Sequence, residues 1–314
     1  MLTPPHDRSR LLSEDSVPTT FFVDSMDRWI ETMVADDRGG DDGFSTLVNA
    51  KVIAKENGII CGHAIIERLV ENYTNNCSIE WMIKEGEKIT CQNTVLEIEG
   101  ESAEILKIER VLLNILGRLS GISTSTYNWV SMTKKMGIAC TRKTDWGLLD
   151  KWAVHIGGGL THRLDRKDAL MLKENDLASI KNKNENDLDA LRRIVLDINL
   201  DLNSEFTVIE VQNIDQAVVA ATAWLELQKS YTKTDPVVLL LDNMEISQVV
   251  KIIDKLKKLN LREWCILEGS GGIGKDSIID WETSGVDLIS TSAVNRGVAP
   301  LDLSLIIERR QHNG

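Results

Sequence analysis

Cysteine is the first thing this chain has little of. Only five of its 314 residues are cysteine: Cys61, Cys77, Cys91, Cys140 and Cys265. They are odd in number, far apart and without a C-x-x-C pair, which excludes a disulfide scaffold and a zinc finger and favours a reducing cytoplasm. No His/Cys spacing suggests zinc. Basic tracts are missing too. Lys and Arg total 36 against 48 Asp and Glu, a formal charge of −12. An acidic chain of this kind is not built to bind nucleic acid or anionic lipid through its overall field. Any anionic ligand therefore needs cations gathered locally. No apolar run reaches the length of a membrane span. Residues 1–20 carry no apolar core of the signal-peptide type.

What is present is a globular composition, 42% hydrophobic and 27% charged, in a chain long enough for one large domain or two ordinary ones. Residues 1–18 are polar and read as a loose segment. From Phe21 the spacing Val23, Met26, Trp29, Ile30, Met33 is helical. Asp36 to Ser45 reads as a Gly/Asp loop. Short runs at Leu47–Ala54, Gly58–Ile65, Ser78–Ile83 and Thr94–Ile98, separated by Gly-containing turns, predict a small antiparallel sheet. Ala103 to Lys135 is helical, with a break expected at Ser120-Gly121. Six Val/Ile/Leu-rich runs follow: Gly137–Cys140, Ala169–Leu172, Phe206–Val211, Val237–Leu241, Trp264–Leu267 and Val286–Ile289. Amphipathic helices lie between them, so the second half predicts βαβ units with a buried parallel sheet. We read an N-terminal domain over 1–128 and an α/β domain over 129–297, with a helix at 298–314 packing back on the first.

In parallel α/β folds the chemistry gathers at the carboxyl ends of the strands. Here those ends read Thr141-Arg142-Lys143, Lys173-Glu174-Asn175, Glu210, Asp242-Asn243, Glu268-Gly269-Ser270-Gly271-Gly272 and Ser290-Thr291-Ser292. The loop before the second run adds Gly157-Gly158-Gly159 and His162-Arg163. Five possible cations near one mouth are a notable concentration in so acidic a chain. Arg grips carboxylate or phosphate bidentately, and Lys adds a point charge. Gly269 to Gly274 joins a strand to a helix and suits either a phosphate or a plain turn. Glu210 and Asp242 suit either Mg²⁺ bridging a diphosphate or ion pairing with the cations. The residues together point to transfer chemistry on a sugar phosphate.

These motifs resemble the quinolinate phosphoribosyltransferase (carboxylating nicotinate-nucleotide pyrophosphorylase) family. The likeness rests on Glu109-Arg110 with Leu119 to Thr124, Thr141-Arg-Lys-Thr144, Gly157-Gly-Gly with His162-Arg163, Leu172-Lys-Glu-Asn175, Ile209-Glu-Val211, Leu241-Asp-Asn-Met244 and Leu267-Glu-Gly-Ser-Gly-Gly-Ile273. It implies an N-terminal α/β sandwich followed by an incomplete, about six-stranded parallel α/β barrel. It also implies a dimer or a multiple of dimers in which Arg110 enters the neighbour's site. The implied reaction joins quinolinate to phosphoribosyl pyrophosphate, with Mg²⁺, giving nicotinate mononucleotide, pyrophosphate and CO₂. By that likeness Arg142, His162, Arg163 and the partner subunit's Arg110 clamp the two carboxylates, with Thr141 beside them. Lys143 and Lys173 add charge. Glu210 and Asp242 stabilise the ribose cation or support Mg²⁺, and Ser270, Gly271, Gly272 and Ser292 hold the 5′-phosphate.

The chain departs from the family at Asp145-Trp146 (usually Thr-Pro), Asp176 (often His), Gln212 (often acidic) and Ser292 (usually Gly). Three other readings stand beside the transferase. One is a paralogous phosphoribosyltransferase with another substrate, such as a molybdenum-transport-associated homologue. Another is a barrel lyase using Lys173 as a Schiff-base amine. The last is a non-catalytic ligand-binding homologue.

Overall fold

The computed structural model describes residues 3–38, 45–200, 205–229, 231 and 235–309. The expected loop at Asp36 to Ser45 and the expected C-terminal helix therefore fall partly outside the described residues. The chain divides into two compact units, one of residues 9–128, 143–159 and 294–314 and the other of residues 1–8, 129–142 and 160–293.

The first unit is built on an antiparallel sheet. Ser13–Glu14 (β1) pairs with Val17–Pro18 (β2). Thr20–Asp37 (α1) starts where the Thr19 hydroxyl accepts from the Phe22 N–H, a standard helix cap. The main sheet contains Leu47–Ala54 (β3), whose residues alternate between buried and more exposed, as one packed face requires. Gly58–Ile59 (β4), His63–Tyr73 (α2), Ser78–Trp81 (β5), Lys88–Ile89 (β6), Thr94–Glu101 (β7) and Ser102–Val130 (α3) follow. Strands β5, β7 and β3 lie side by side, and β4 pairs with β6. The apolar stripe of α3, with Ile105, Ile108, Leu112, Ile115, Leu116, Leu119 and Ile122 buried, has the spacing of one helix face.

The second unit is the parallel sheet. Its strands are Gly137–Ala139 (β8), Leu170–Leu172 (β9), Thr207–Val211 (β10), Val237–Asp242 (β11), Cys265–Ser270 (β12) and Leu288–Ser290 (β13). Each of the six runs read from the sequence contributes one strand. The order is β8-β13-β12-β11-β10-β9, all parallel. Strands β8 and β9 end the sheet and are not bonded to each other, so the barrel is incomplete. Leu148–Ile156 (α4) belongs to the first unit. Glu174–Ile180 (α5), Asp187–Leu196 (α6), Ile214–Gln228 (α7), Ile246–Lys258 (α8) and Ile278–Ser284 (α9) supply the crossovers of the second. One sheet face gathers Ala139, Ala169, Phe206, Val208, Val238, Leu240, Ile266 and Leu288 into an apolar cluster.

Four expectations are corrected. The C-terminal helix is a strand: Leu303–Arg309 (β14) pairs antiparallel with the free edge of β3. The apolar spacing of Leu301 to Glu308 fits a helix, but the open β3 edge needs a hydrogen-bonding partner. Lys51 of β3, paired with both Glu97 and Glu308, joins the three strands on one side. The strand expected over Gly58–Ile65 stops at Ile59, because α2 starts at His63. The Glu85 carboxylate accepts from the Gly62 and His63 N–H groups at 3.0–3.2 Å, a start signal from a residue 22 positions away. Helix α3 is unbroken at Ser120-Gly121. The glycine serves a close crossing, since a Cβ there would lie 2.3 Å from the Ala299 carbonyl oxygen. Residues 3–18 are not loose: Leu12 and His6 are fully buried.

The crossing at Gly121 gives a direct test. Gly121→Ala should destabilise the protein by about 1–3 kcal/mol through overpacking, despite the better helix propensity of alanine. Urea unfolding followed by tryptophan fluorescence measures this. An unchanged midpoint would mean that the Ala299–Leu301 segment yields freely.

Candidate active site

Side chains on a strand alternate between faces. The parity that places Val208, Leu240 and Ile266 in the apolar cluster carries Glu210, Asp242, Glu268 and Ser270 to the same face near the carboxyl ends. Register then sets the neighbours. Leu172 lies opposite Ile209, so Lys173 follows beside Glu210, and its Nζ donates to Glu210 Oε2 at 2.9 Å. Asp242 lies opposite Ser270. The Asn243 side chain donates to Asp242 Oδ2 at 3.0 Å. A cavity of about 250 Å³ lies between the end of β10 and the helices α5 and α6, lined among others by Glu174, Leu177, Lys181, Asp187 and Gln212; of the expected site residues, Glu210 lines it.

The cations divide into two kinds. Lys173 is matched by Glu210. Arg142 is exposed and Arg163 half-buried, and no carboxylate is ion-paired with either among the described residues. The Arg163 guanidinium donates to the Ala169 carbonyl at 3.1 Å and approaches the Met171 sulfur at 3.3 Å. Partial burial lowers its pKa, and the like charges of Arg142 and Arg166 lower it further. Such crowding of unpaired guanidinium charge favours an arriving anion.

His162 has a fixed role. It sits at φ +53° and is buried. Its Nδ1 accepts the Arg163 N–H at 2.7 Å, while its Nε2 lies 3.1 Å from Glu268 Oε1. An accepting Nδ1 carries no proton, so Nε2 carries it and donates to Glu268. Both ring nitrogens are thus engaged within the protein, and the ring orients the loop that bears Arg163. Glu268, fully buried, also receives His6 Nε2 on Oε2 at 3.0 Å. Burial alone would raise the Glu268 pKa, but the two imidazoles outweigh it and hold it well below the usual carboxylate range. His6, His162 and Glu268 are close enough to hold a metal ion. A metal would need the Nε2 lone pair of His162, and the Arg163 N–H already fixes the proton there.

The glycine loop after β12 is shaped by contact. Gly271 adopts φ +101°, and a Cβ there would meet Asn243 Oδ1 at 2.3 Å. Only glycine fits. Gly272, at φ +61°, faces open space. The Thr291 hydroxyl donates to the Ile273 carbonyl at 3.0 Å, and the Thr291 N–H to Ala139. This ties the loop to the end of β13, where Ser292 begins a short 3-10 turn.

Asp145, Trp146, Asp176 and Gln212, which depart from the family pattern, have structural partners. Asp176 caps α5 by accepting the Lys173 N–H at 3.0 Å. Gln212 donates to Glu174 at 2.8 Å. In the first unit, Asp145 accepts from Arg118, Trp146 stacks on Trp29 with centroids 5.8 Å apart, and Arg118 grips the buried Asp150 with two nitrogens. Asn295 bonds both Asp150 and the Lys143 carbonyl, so the segment after Arg142-Lys143 is tied at several points. Arg110 is exposed on α3. Cys140 is buried, and burial pushes the Cys265 thiol up to about 12, so neither is poised as a nucleophile.

Six parallel strands with intervening helices define an incomplete α/β-barrel protein whose strand carboxyl ends carry guanidinium groups, carboxylates and a glycine loop. The chain belongs to the quinolinate phosphoribosyl transferase family. The family's C-terminal domain matches residues 122–306 and its N-terminal domain residues 42–120. The probable nicotinate-nucleotide pyrophosphorylase (carboxylating) of Methanothermobacter thermautotrophicus is 33% identical over 268 residues, 83% of this chain and 89% of that protein. Its counterpart in Methanocaldococcus jannaschii is 35% identical over 268 residues, 82% and 86% of the two chains. Among solved structures, the nicotinate-nucleotide pyrophosphorylase from Francisella tularensis superimposes with a TM-score of 0.76 at 28% identity. It covers 91% of this chain and 96% of its own. No helix among the described residues is long and apolar enough to cross a membrane.

The sequence alone assigns no role to Glu268 or His6. A lone acid at an inward position of an apolar strand was the available signal for the first. Nothing local marked the second. The depressed pKa of Glu268 has a sign that can be checked. The folded state binds this proton more weakly than the unfolded chain. The stability it contributes is present above the unfolded value of about 4.3 and is lost as pH falls through the lower folded value. Between about pH 5 and pH 3, Glu268→Gln should therefore lose less stability than the wild type. Denaturant midpoints across that range measure this, and parallel curves would refute it.

Proposed function

We propose that this protein transfers the phosphoribosyl group of phosphoribosyl pyrophosphate to quinolinate with decarboxylation, giving nicotinate mononucleotide, pyrophosphate and CO₂ for NAD biosynthesis. The observation that carries the reading is the pair Arg142 and Arg163: two mutually repelling guanidinium groups with no ion-paired carboxylate among the described residues, in a protein of net charge −12. A pyridine with two adjacent carboxylates answers that charge better than a mono-acid does. Family membership and the names of the relatives point the same way.

The roles follow from physical chemistry. Arg142 and Arg163 bind the carboxylates, with Thr141 and Lys143 adjoining and His162 fixing the loop that bears Arg163. The clamp holds the ring nitrogen toward the anomeric carbon, which removes orientational entropy from the barrier. The nitrogen lone pair forms the new C–N bond as the bond to the pyrophosphate oxygen breaks. Positive charge on the ribose is then countered by Glu210 and Asp242. Entry of a diphosphate offers Lys173 a second anionic partner and loosens its grip on Glu210. Ser270, Gly271, Gly272 and Ser292 receive the 5′-phosphate on N–H and hydroxyl donors. The quaternary ring accepts the electron pair of the breaking C–C bond when CO₂ leaves, and a proton replaces the carboxyl group.

Two carboxylates on neighbouring strands are hard oxygen donors that suit Mg²⁺ carried in with the diphosphate. When bound, the ion would neutralise the leaving pyrophosphate. The working form in this reading is a cytoplasmic homodimer, or a multiple of it, with exposed Arg110 of α3 donated to the neighbour's site. A Schiff-base role for Lys173 is disfavoured by its carboxylate partner, since such amines sit in desolvated or cationic surroundings.

Incubation with Mg²⁺, phosphoribosyl pyrophosphate and either quinolinate or nicotinate should yield mononucleotide and CO₂ with quinolinate alone. Arg142→Ala and Arg163→Ala should each lower kcat/KM for quinolinate by roughly a hundredfold or more, from the loss of charge-assisted bonds, with circular dichroism unchanged. Wild-type kinetics in either variant would remove that residue from the clamp.

A further inference from the structure

The N-terminal segment reaches the loop that carries His162 and Arg163. Its residues hold that loop at three points. His6 places its Nε2 on Glu268 Oε2 at 3.0 Å, completing a carboxylate whose other oxygen holds His162. The Thr161 hydroxyl donates to the His6 carbonyl at 3.1 Å and accepts the Arg8 N–H at 2.8 Å. Arg8 Nε donates to Asp168 Oδ1 at 2.9 Å, and Asp168 Oδ2 in turn accepts the Leu164 N–H at 2.9 Å. Glu205 adds a second carboxylate 3.6 Å from the Arg8 guanidinium. The His6 ring meets His162 edge-on, with centroids 4.8 Å apart, and lies 5.1 Å from Phe206.

The loop needs such support. His162 sits in the left-handed region, which a non-glycine residue holds only where its surroundings impose it. Glu268 is wholly buried, and a carboxylate with one oxygen unmatched in a dry site would protonate or draw in water. Either event would loosen its grip on His162. The Nδ1–Arg163 N–H bond would then lose its fixed ring, and Arg163 its fixed backbone. Two residues of the N-terminal segment, His6 and Arg8, thus bear on the placement of one guanidinium group.

We infer that His6 and Arg8 are positioning residues of the quinolinate site, His6 acting through Glu268 and His162 and Arg8 through Asp168 to fix the loop 161–168 that presents Arg163. This rests on the proposed reaction. The expected signature is selective: the grip on the diacid weakens, while phosphoribosyl pyrophosphate, held by other strand ends, is scarcely affected.

Steady-state kinetics on the full chain with both substrates test it, using His6→Leu, His6→Gln and Arg8→Ala. His6→Leu should raise the quinolinate KM by about tenfold or more and leave the phosphoribosyl pyrophosphate KM within about twofold. His6→Gln keeps a donor for Glu268 and should recover most of that loss. Arg8→Ala leaves the buried imidazoles in place and should raise the quinolinate KM by about threefold to tenfold. If His6→Leu does not fold, the other two variants decide the matter by the same split. Equal changes in both KM values, a fall in kcat alone, or no recovery with glutamine would overturn the inference and leave the reaction standing. A wild-type protein that turns over neither pyridine acid would end both.

Discussion

A carboxylate sealed from water must be matched on both oxygens, and Glu268 is the place where this protein meets that demand. Removing an ionised side chain from water costs several kcal/mol unless partners replace the lost hydration. Two imidazoles do so here, one from the loop before β9 and one from the N-terminal segment. The match decides much of what surrounds it. It sets the tautomer of His162, which frees Nδ1 to accept the Arg163 N–H. It holds β12 just before the glycine loop. It also gives a chain segment that could have stayed solvated a reason to be ordered.

Charge at the strand ends is arranged in two modes. Lys173 and Glu210 neutralise each other across adjacent strands, so that pair contributes little net field until a ligand rearranges it. Arg142 and Arg163 have no ion-paired acid among the described residues and repel each other, with the charges of Asp176 and Glu268 only partly offsetting that repulsion at Arg163. In the proposed reaction, the two arginines would hold the diacid and the Lys173–Glu210 pair would adapt to the changing charge. The acidic remainder of the molecule makes this contrast sharper, because nothing in the overall field draws anions in.

The antiparallel unit shows a different constraint. Backbone groups at a sheet edge want partners, and the chain's last described segment supplies them along β3. The same segment's approach requires glycine in the middle of α3, so a residue that reads as a helix break is a packing device. Asp145, Trp146 and Asp176, which differ from the family pattern, have local partners of their own in an ion pair, a ring stack and a helix cap.

Much of the parallel unit was legible from residues alone. Six apolar runs became six strands, because continuous burial on both faces leaves a composition that few other structures produce. The polar residues at their ends were legible for the same reason: a buried strand turns polar only where it emerges. Pairing was not legible. Whether Glu210 meets the Lys173 ammonium or is left for a metal ion depends on register. The apolar spacing of Leu301 to Glu308 predicts a helix where the structure has the Leu303–Arg309 strand, because a short apolar run fits both periods and only a vacant edge elsewhere chooses between them. His6 lay wholly beyond local reading, since its partners are 156 and 262 positions away in the chain and hydrogen bonds over such separations leave no periodic trace. The order of amino acids determined the elements and the chemical inventory. Three-dimensional packing alone decided which charges are spent on one another and which remain for a ligand, because Coulomb and hydrogen-bond energies depend on separations of a few ångströms that sequence distance does not encode.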